Sequence, residues 1–136
     1  MESLRLIHEK VLTRISPSED ERSSIERLAK KVKEKVESSV KRLNLDAEVR
    51  IEGSIAKDTW LSGEADIDIF MRLSPELAKN KLKEVSLKIA YNAMEGYKTF
   101  ERFAEHPYLE AWVEGIRVNI VPCYKVEKGR WLSATD

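Results

Sequence analysis

The longest periodic segment of the chain, residues 16–44, predicts an amphipathic helix. Its apolar residues recur every three or four positions and form one stripe on a charged surface: Ile25, Leu28, Val32, Val36, Val40 and Leu43. Ser16 is a suitable N-cap, Pro17 suits the first helical position, and Glu19 completes the spacing of a capping box. We therefore expect a long helix that begins after Ser16 and packs one face on a core. A shorter helix is predicted before it, over residues 3–14.

After this helix the hydrophobic period changes to two, which is typical of half-buried strands. Residues 46–55 and 65–73 are the two segments that show the alternation. The apolar positions that we expect to face the core are Ala47, Val49, Ile51, Ile67, Ile69 and Met71. Asp66, Asp68 and Phe70 then project from the opposite side of the second strand.

The remaining segments predict one more helix and a three-stranded meander. Residues 74–94 start with Ser74 as N-cap and Pro75 in the first position. The predicted buried stripe of this helix is Ala78, Leu82, Val85 and Ile89. Residues 97–105, 108–113 and 116–126 have the composition of strands, and Glu114-Gly115 suits a tight hairpin turn between the last two. The order predicts an α/β (α+β) domain with helices on one face of a small mixed sheet.

Length and charge narrow the class of protein. The 136 residues are enough for one domain, which we assign to residues 1–136. The 24 basic side chains balance the 24 acidic ones, so any nucleic-acid binding is expected to be local. The lone Cys123 excludes a disulfide framework and a cysteine zinc site. Without an apolar run of signal-peptide or membrane-spanning length, we expect a soluble cytoplasmic protein with no membrane partner.

The first candidate chemistry is the pair Asp66 and Asp68, separated by one residue. Residues i and i+2 of a strand project to the same face, so the two carboxylates should lie a few ångströms apart. Carboxylates that close repel each other unless a cation lies between them, and Mg²⁺ prefers oxygen ligands of this kind. The simpler alternative is that both face solvent on an edge strand, and for an isolated Asp-x-Asp this alternative would be favoured.

A second group of residues, upstream of the pair, favours the metal interpretation. Gly53 ends the preceding strand at a point where the backbone can turn and approach a ligand closely. Ser54 offers a hydroxyl and an N–H to phosphate oxygens, and Lys57 adds a positive charge. Residues 55–60 are predicted to form a short helix whose N-terminus favours an anion. A phosphate-binding turn followed by two metal-binding carboxylates is typical of a nucleoside-triphosphate site.

The chain resembles the nucleotidyltransferase superfamily, which includes DNA polymerase β and the poly(A) polymerases. Residues 53–70, 104–108 and 118–126 are similar to the palm-like catalytic head of archaeal-type class I CCA-adding tRNA nucleotidyltransferases. The resemblance implies that ATP and CTP donate nucleotides to the tRNA 3′ end and that pyrophosphate is released. It also implies that downstream tRNA-binding domains of the family are absent from this chain.

The same resemblance implies roles for individual residues. Gly53, Ser54 and Lys57 would bind the triphosphate. Asp66 and Asp68 would be the catalytic carboxylates that hold Mg²⁺. Two further residues, Glu105 and His106, would lie close to the active site, with His106 binding nucleotide.

One position departs from the family pattern. Members carry a third carboxylate on a strand next to the aspartate pair, and the matching residue here is Asn119. An amide can still offer an oxygen to a metal, but it has no negative charge and cannot act as a base. Three explanations stay open: an engineered inactivation, a natural non-catalytic relative, or another acid, such as Glu101 or Glu105, in its place.

Two hypotheses of different class follow. The first is the catalytic domain of a CCA-adding enzyme, impaired by Asn119, that binds tRNA weakly on its own. The second is a minimal domain of the same fold that binds nucleotide or a partner protein without transfer chemistry.

Overall fold

A computed structural model of the protein describes residues 18–52 and 66–125, which form two helices and one five-stranded sheet. The helices are α1 (Glu19–Arg42) and α2 (Lys79–Ala93). The strands are β1 (Glu48–Glu52), β2 (Asp66–Leu73), β3 (Lys98–Phe103), β4 (Pro107–Val113) and β5 (Ile116–Tyr124). The predicted element order and the α+β class are confirmed. Neither of these helices is long and apolar enough to span a membrane.

The sheet has the strand order β1-β2-β5-β4-β3. Strands β2 and β5 are parallel, whereas the other three neighbouring pairs are antiparallel. The parallel pair joins segments that are far apart in sequence, because α2, β3 and β4 lie between β2 and β5 along the chain. This pairing places the start of β5 beside the aspartates of β2.

Both helices pack on one face of the sheet, as predicted, and within residues 18–52 and 66–125 no helix covers the other face. The alternation in β2 is confirmed, because Ile67, Ile69 and Met71 are fully buried while the residues between them are half-buried. The fully buried side chains of the core include Val32, Val36, Leu82, Ile89, Leu109 and Ile120. The side of the sheet away from the helices, which we call the open face, therefore carries the polar residues of β2 and their strand neighbours.

The start of α1 differs from the prediction. The N-cap is Ser18, whose hydroxyl accepts a hydrogen bond from the backbone N–H of Glu21 at 3.1 Å. Ser16 and the helix predicted over residues 3–14 lie outside the described residues. Ser18 has the same capping chemistry as Ser16, and three acidic residues follow it in the first turn, where the helix dipole favours them.

The start of α2 was also predicted too early. The Ser74 hydroxyl accepts a hydrogen bond from the N–H of Glu76, so it closes a turn before the helix. The helix begins at Lys79, with Ala78 as an N-cap that offers no side-chain hydrogen bond. Ala78 is exposed and not part of the buried stripe, because it lies outside the helix, whereas Leu82 is buried as predicted.

The hairpin between β4 and β5 has the predicted two-residue turn. Glu114 and Gly115 both have positive φ, 52° and 78°. Two successive positive φ values match the twist of the flanking strands and fix the pairing register. The turn therefore sets which residues of β4 lie beside the first residues of β5.

Candidate active site

The site is built where the first residues of β2 and β5 run side by side. The parallel register pairs Asp66 with Arg117 and Asp68 with Asn119. Partners in register project to the same face, and the neighbouring residues Ile67 and Val118 are buried on the helix side. The structure thus brings Asp66, Asp68 and Asn119 together on the open face.

Asp68 and Asn119 are directly hydrogen-bonded. The Asn119 side chain donates from Nδ2 to Oδ1 of Asp68 at 3.0 Å. Burial raises the pKa of Asp68, the Asn119 hydrogen bond opposes the rise, and the nearby charge of Asp66 adds to it. Asp68 is therefore a carboxylate whose negative charge is incompletely compensated by its neighbours.

The cation beside Asp66 is Arg117, a residue that sequence reasoning missed. Its Nε donates to Oδ1 of Asp66 at 3.2 Å and its Nη2 to Oδ2 at 2.5 Å, so the pair is bidentate. The hydrogen bond to Asp66 is the main reason that the pKa of Arg117 is raised. The sequence feature that could have identified Arg117 is its position two residues before Asn119, which places both residues on one face of a strand.

A third carboxylate, Glu110, lies on the same face and was also missed. It pairs in register with Asn119 and is buried. Its carboxylate accepts a hydrogen bond from Trp112 Nε1 at 3.1 Å and forms an ion pair with Arg102 at 3.5 Å. One row across the sheet therefore holds Asp68, Asn119 and Glu110 in adjacent strands. The sequence pattern did not indicate a site at Glu110, because its segment has the composition of an apolar strand.

The other acids considered at the sequence level do not join this row. Glu101 accepts a hydrogen bond from the hydroxyl of Tyr91, which belongs to α2, at 2.7 Å. Its register partner Leu109 is fully buried, so Glu101 projects to the helix side. The suggestion that Glu101 replaces the carboxylate at position 119 is therefore wrong. Glu105 is exposed in the turn that precedes β4.

His106 lies at the other end of β5 from the aspartates. It is buried, and its ring meets the ring of Tyr124 edge-on, with 5.8 Å between centroids. Tyr124 is five residues beyond Asn119, which corresponds to about 16 Å along a strand. Among the described residues, Nε2 of His106 has no hydrogen-bond partner. The structure does not bring His106 next to the aspartate pair.

The residues predicted to bind phosphate, Gly53, Ser54 and Lys57, lie outside the described residues. The strand that precedes them ends at Glu52, which pairs in register with Asp68. The last described residue before these three therefore lies beside the aspartate pair.

The side chains of this site offer oxygen ligands to a divalent cation. Two carboxylates on one face and an amide oxygen are ligands that a hard cation accepts. In the ranges 18–52 and 66–125, no group of three or more His, Cys, Asp or Glu residues is arranged to hold a metal ion. The guanidinium of Arg117 competes with such an ion for the oxygens of Asp66.

Comparison with known proteins gives the family. Residues 25–135 match the nucleotidyltransferase domain family. The CCA-adding enzyme of Pyrococcus horikoshii is 41% identical over 118 residues, which are 86% of this chain and 26% of that enzyme. The CCA-adding enzyme of Methanothermobacter thermautotrophicus is 37% identical over 129 residues, or 93% of this chain and 28% of that enzyme. The chain thus spans little more than a quarter of the length of these relatives.

Solved structures with the same fold are more distant in sequence. The CdnC protein of E. coli MS115-1 with ATP superimposes with a TM-score of 0.65 at 17% identity, over 90% of this chain and 42% of that one. The Cid1 poly(U) polymerase with Mg 3′-dATP bound has a TM-score of 0.62 at 15% identity, over 89% of this chain and 36% of that one. The family match over most of the chain and the shared fold agree: this chain belongs to the nucleotidyltransferase domain family.

Proposed function

We propose that this chain is the nucleotidyl-transfer domain of a CCA-adding enzyme, which uses CTP and ATP to extend the 3′ end of tRNA in the cytoplasm. The observation that carries the proposal is the juxtaposition of Asp66, Asp68 and position 119 on two parallel strands. The chain with this arrangement is 41% identical to a CCA-adding enzyme, over 86% of the chain's own length.

In the proposed reaction, the 3′-hydroxyl oxygen of the tRNA attacks the α-phosphorus of the nucleotide. A new O–P bond forms, the bond from the α-phosphorus to the bridging oxygen breaks, pyrophosphate leaves, and the hydroxyl proton passes to water. Asp66 and Asp68 would hold Mg²⁺, and the ion when bound would neutralise charge on the triphosphate. Asn119 can offer an oxygen ligand but cannot accept the hydroxyl proton.

Gly53, Ser54 and Lys57 are proposed to bind the triphosphate. Support comes from the end of β1, because Glu52, the residue directly before Gly53, lies in register with Asp68. A triphosphate held there would have its α-phosphorus near the aspartates. The position of His106 at the far end of β5 does not support a contact with the same phosphates.

Asn119 is expected to slow transfer. Loss of a carboxylate that acts in the transition state typically costs a few kcal/mol, which corresponds to a rate reduction on the order of a hundredfold. We therefore expect Asn119→Asp to raise Mg²⁺-dependent incorporation by about that factor. The measurement is incorporation of labelled CMP and AMP by this protein into tRNA that lacks its terminal CCA.

Two further variants make this experiment specific. Asn80→Asp adds the same charge at an exposed position on α2 and should leave incorporation unchanged. Asp68→Asn in the Asn119→Asp background should abolish the gain, because the carboxylates act as one unit. If Asn119→Asp gives no increase, or if incorporation survives loss of Asp68, the assignment of these residues as catalytic metal ligands is wrong.

A second candidate function is a nucleotide-binding module that performs no transfer. It is favoured by the two β5 side chains at the site, since Arg117 neutralises Asp66 and Asn119 donates a hydrogen bond to Asp68. This module would bind ATP or CTP in calorimetry, yet it would stay inactive after Asn119→Asp. The incorporation experiment therefore separates the two functions.

A further inference from the structure

The ion pair between Arg117 and Asp66 occupies the place that the proposed function gives to a metal ligand. Both oxygens of Asp66 accept a guanidinium N–H, and one oxygen of Asp68 accepts the amide of Asn119. Three of the four carboxylate oxygens of the pair are therefore engaged by side chains of β5. A cation that uses the same lone pairs of these oxygens must displace the donor that occupies them.

The charges of the site also make Arg117 a competitor of a metal ion for Asp66. Asp66 and Asp68 carry two negative charges, Arg117 carries one positive charge, and Asn119 carries none, so the four side chains have one net negative charge. A divalent ion is attracted less strongly to this group than to two uncompensated carboxylates. The side chains are only partly exposed, 35% for Asp66 and 45% for Arg117, so water does not fully screen the effect.

The backbone keeps the guanidinium close to the site. Arg117 is in register with Asp66 in a parallel pair, and it follows directly after the two-residue turn and Ile116. Trp112 of β4 is its register partner on the other side. Arg117 can therefore release Asp66 by a side-chain rotation toward solvent, while its Cα stays beside the aspartate.

We propose that Arg117 is a resident counter-ion of the aspartate pair, which divalent metal must displace from Asp66. The inference rests on the proposed function, because it concerns the same site. It makes metal binding depend on the nucleotide: the triphosphate brings negative charge that can receive the released guanidinium. Metal alone binds weakly to this chain, and metal together with nucleoside triphosphate binds better than either does separately.

The test is binding of Mn²⁺ without nucleotide, measured from the loss of the free-ion signal in electron paramagnetic resonance. Arg117→Gln removes a positive charge beside the ion and should tighten Mn²⁺ binding by on the order of tenfold. The matched control is Arg50→Gln, which removes an arginine from an ion pair with Glu48 on the same open face. This control should leave Mn²⁺ binding unchanged, and thermal unfolding checks that each variant is folded.

A second arm separates this inference from the proposed function. The gain from Arg117→Gln should vanish when Asp66→Asn is added, and ATP should enhance Mn²⁺ binding less in Arg117→Gln than in the unaltered chain. If Arg117→Gln leaves the Mn²⁺ affinity unchanged while Asp66→Asn weakens it, the proposal that Arg117 is a resident counter-ion is wrong. The proposed metal site at Asp66 is then retained. If Arg117→Gln gains affinity that survives both Asp66→Asn and Asp68→Asn, the ion binds elsewhere, and both the inference and the proposed metal site fail.

Discussion

At the residue scale, Asp68 shows the conflict between stability and function most clearly. It lies half-buried in the sheet, its direct hydrogen-bond partner is the amide of Asn119, and the charge of Arg117 only partly offsets burial and the nearby charge of Asp66. Burial raises its pKa, which means that the folded chain holds the Asp68 proton more tightly than the unfolded chain does. A carboxylate retained at such a position costs stability at neutral pH, which is typical of a functional site.

Asp68→Asn is therefore expected to raise the melting temperature at pH 7 by a few degrees. The stability cost of ionised Asp68 is complete above its folded-state pKa and disappears below the unfolded value near 3.8, so the gain should shrink as the pH falls toward that value. The amide of Asn119 can still donate to the new side chain. Thermal unfolding is followed by circular dichroism at pH 7 and again at a pH near 3.8. The difference between the two measurements gives the effect.

The control for this prediction is Asp46→Asn, which alters an exposed aspartate outside the sheet. It should give no comparable gain. A lower melting temperature for Asp68→Asn at pH 7 would contradict the interpretation that ionised Asp68 is under-compensated.

At the scale of elements, the hairpin of β4 and β5 positions most of the site. It carries Glu110, Arg117 and Asn119, and its register depends on the turn at Glu114 and Gly115. Glu114 has a φ of 52°, a region that L-residues with long side chains rarely adopt. Its carboxylate forms an exposed ion pair with Lys31 of α1 at 3.3 Å.

Glu114→Asn should stabilise the domain by about 0.5–1 kcal/mol. Asn tolerates positive φ and is favoured in this turn, whereas an exposed ion pair contributes roughly 0–1 kcal/mol and often nothing measurable. Denaturant unfolding gives the free energy, and Lys31→Ala separately measures the contribution of the ion pair. If Glu114→Asn is destabilising by as much as Lys31→Ala, the ion pair outweighs the backbone strain.

At the scale of the whole molecule, the charge distribution limits binding of nucleic acid. The chain has as many acidic as basic side chains. On the open face, each of four arginines forms an ion pair with a carboxylate: Arg50, Arg72, Arg102 and Arg117. A phosphate backbone that approaches this face must compete with those carboxylates for every one of these guanidinium groups.

We therefore expect this chain alone to bind tRNA weakly, with strong sensitivity to salt. Fluorescence anisotropy with labelled tRNA at two ionic strengths measures both properties. A complete CCA-adding enzyme of Pyrococcus horikoshii is the comparison, since the chain spans little more than a quarter of the curated relatives cited above. A sub-micromolar Kd for the chain at physiological salt would show that this domain carries the main RNA-binding surface.

Much of the fold was predictable because it depends on local periodicity. The stripe of α1 and the alternation of β2 mark their buried faces within a few residues, and both patterns match the buried side chains. Helix starts were less predictable: Ser16 and Ser18 have equal capping chemistry, and Ser74 can close a turn as readily as it can begin a helix. Packing against the rest of the chain decides between local conformations of nearly equal free energy.

The sequence by itself determined that Asp66 and Asp68 share a face, because residues i and i+2 of any strand do so. Only the tertiary structure decided what lies opposite them. The contacts from Asp66 to Arg117 and from Asp68 to Asn119 each join residues 51 positions apart. Glu110 lies beside Asn119 because of the hairpin register. Such neighbours depend on strand order and register, which the whole core fixes by burying its apolar faces together, and no local pattern of residues specifies them.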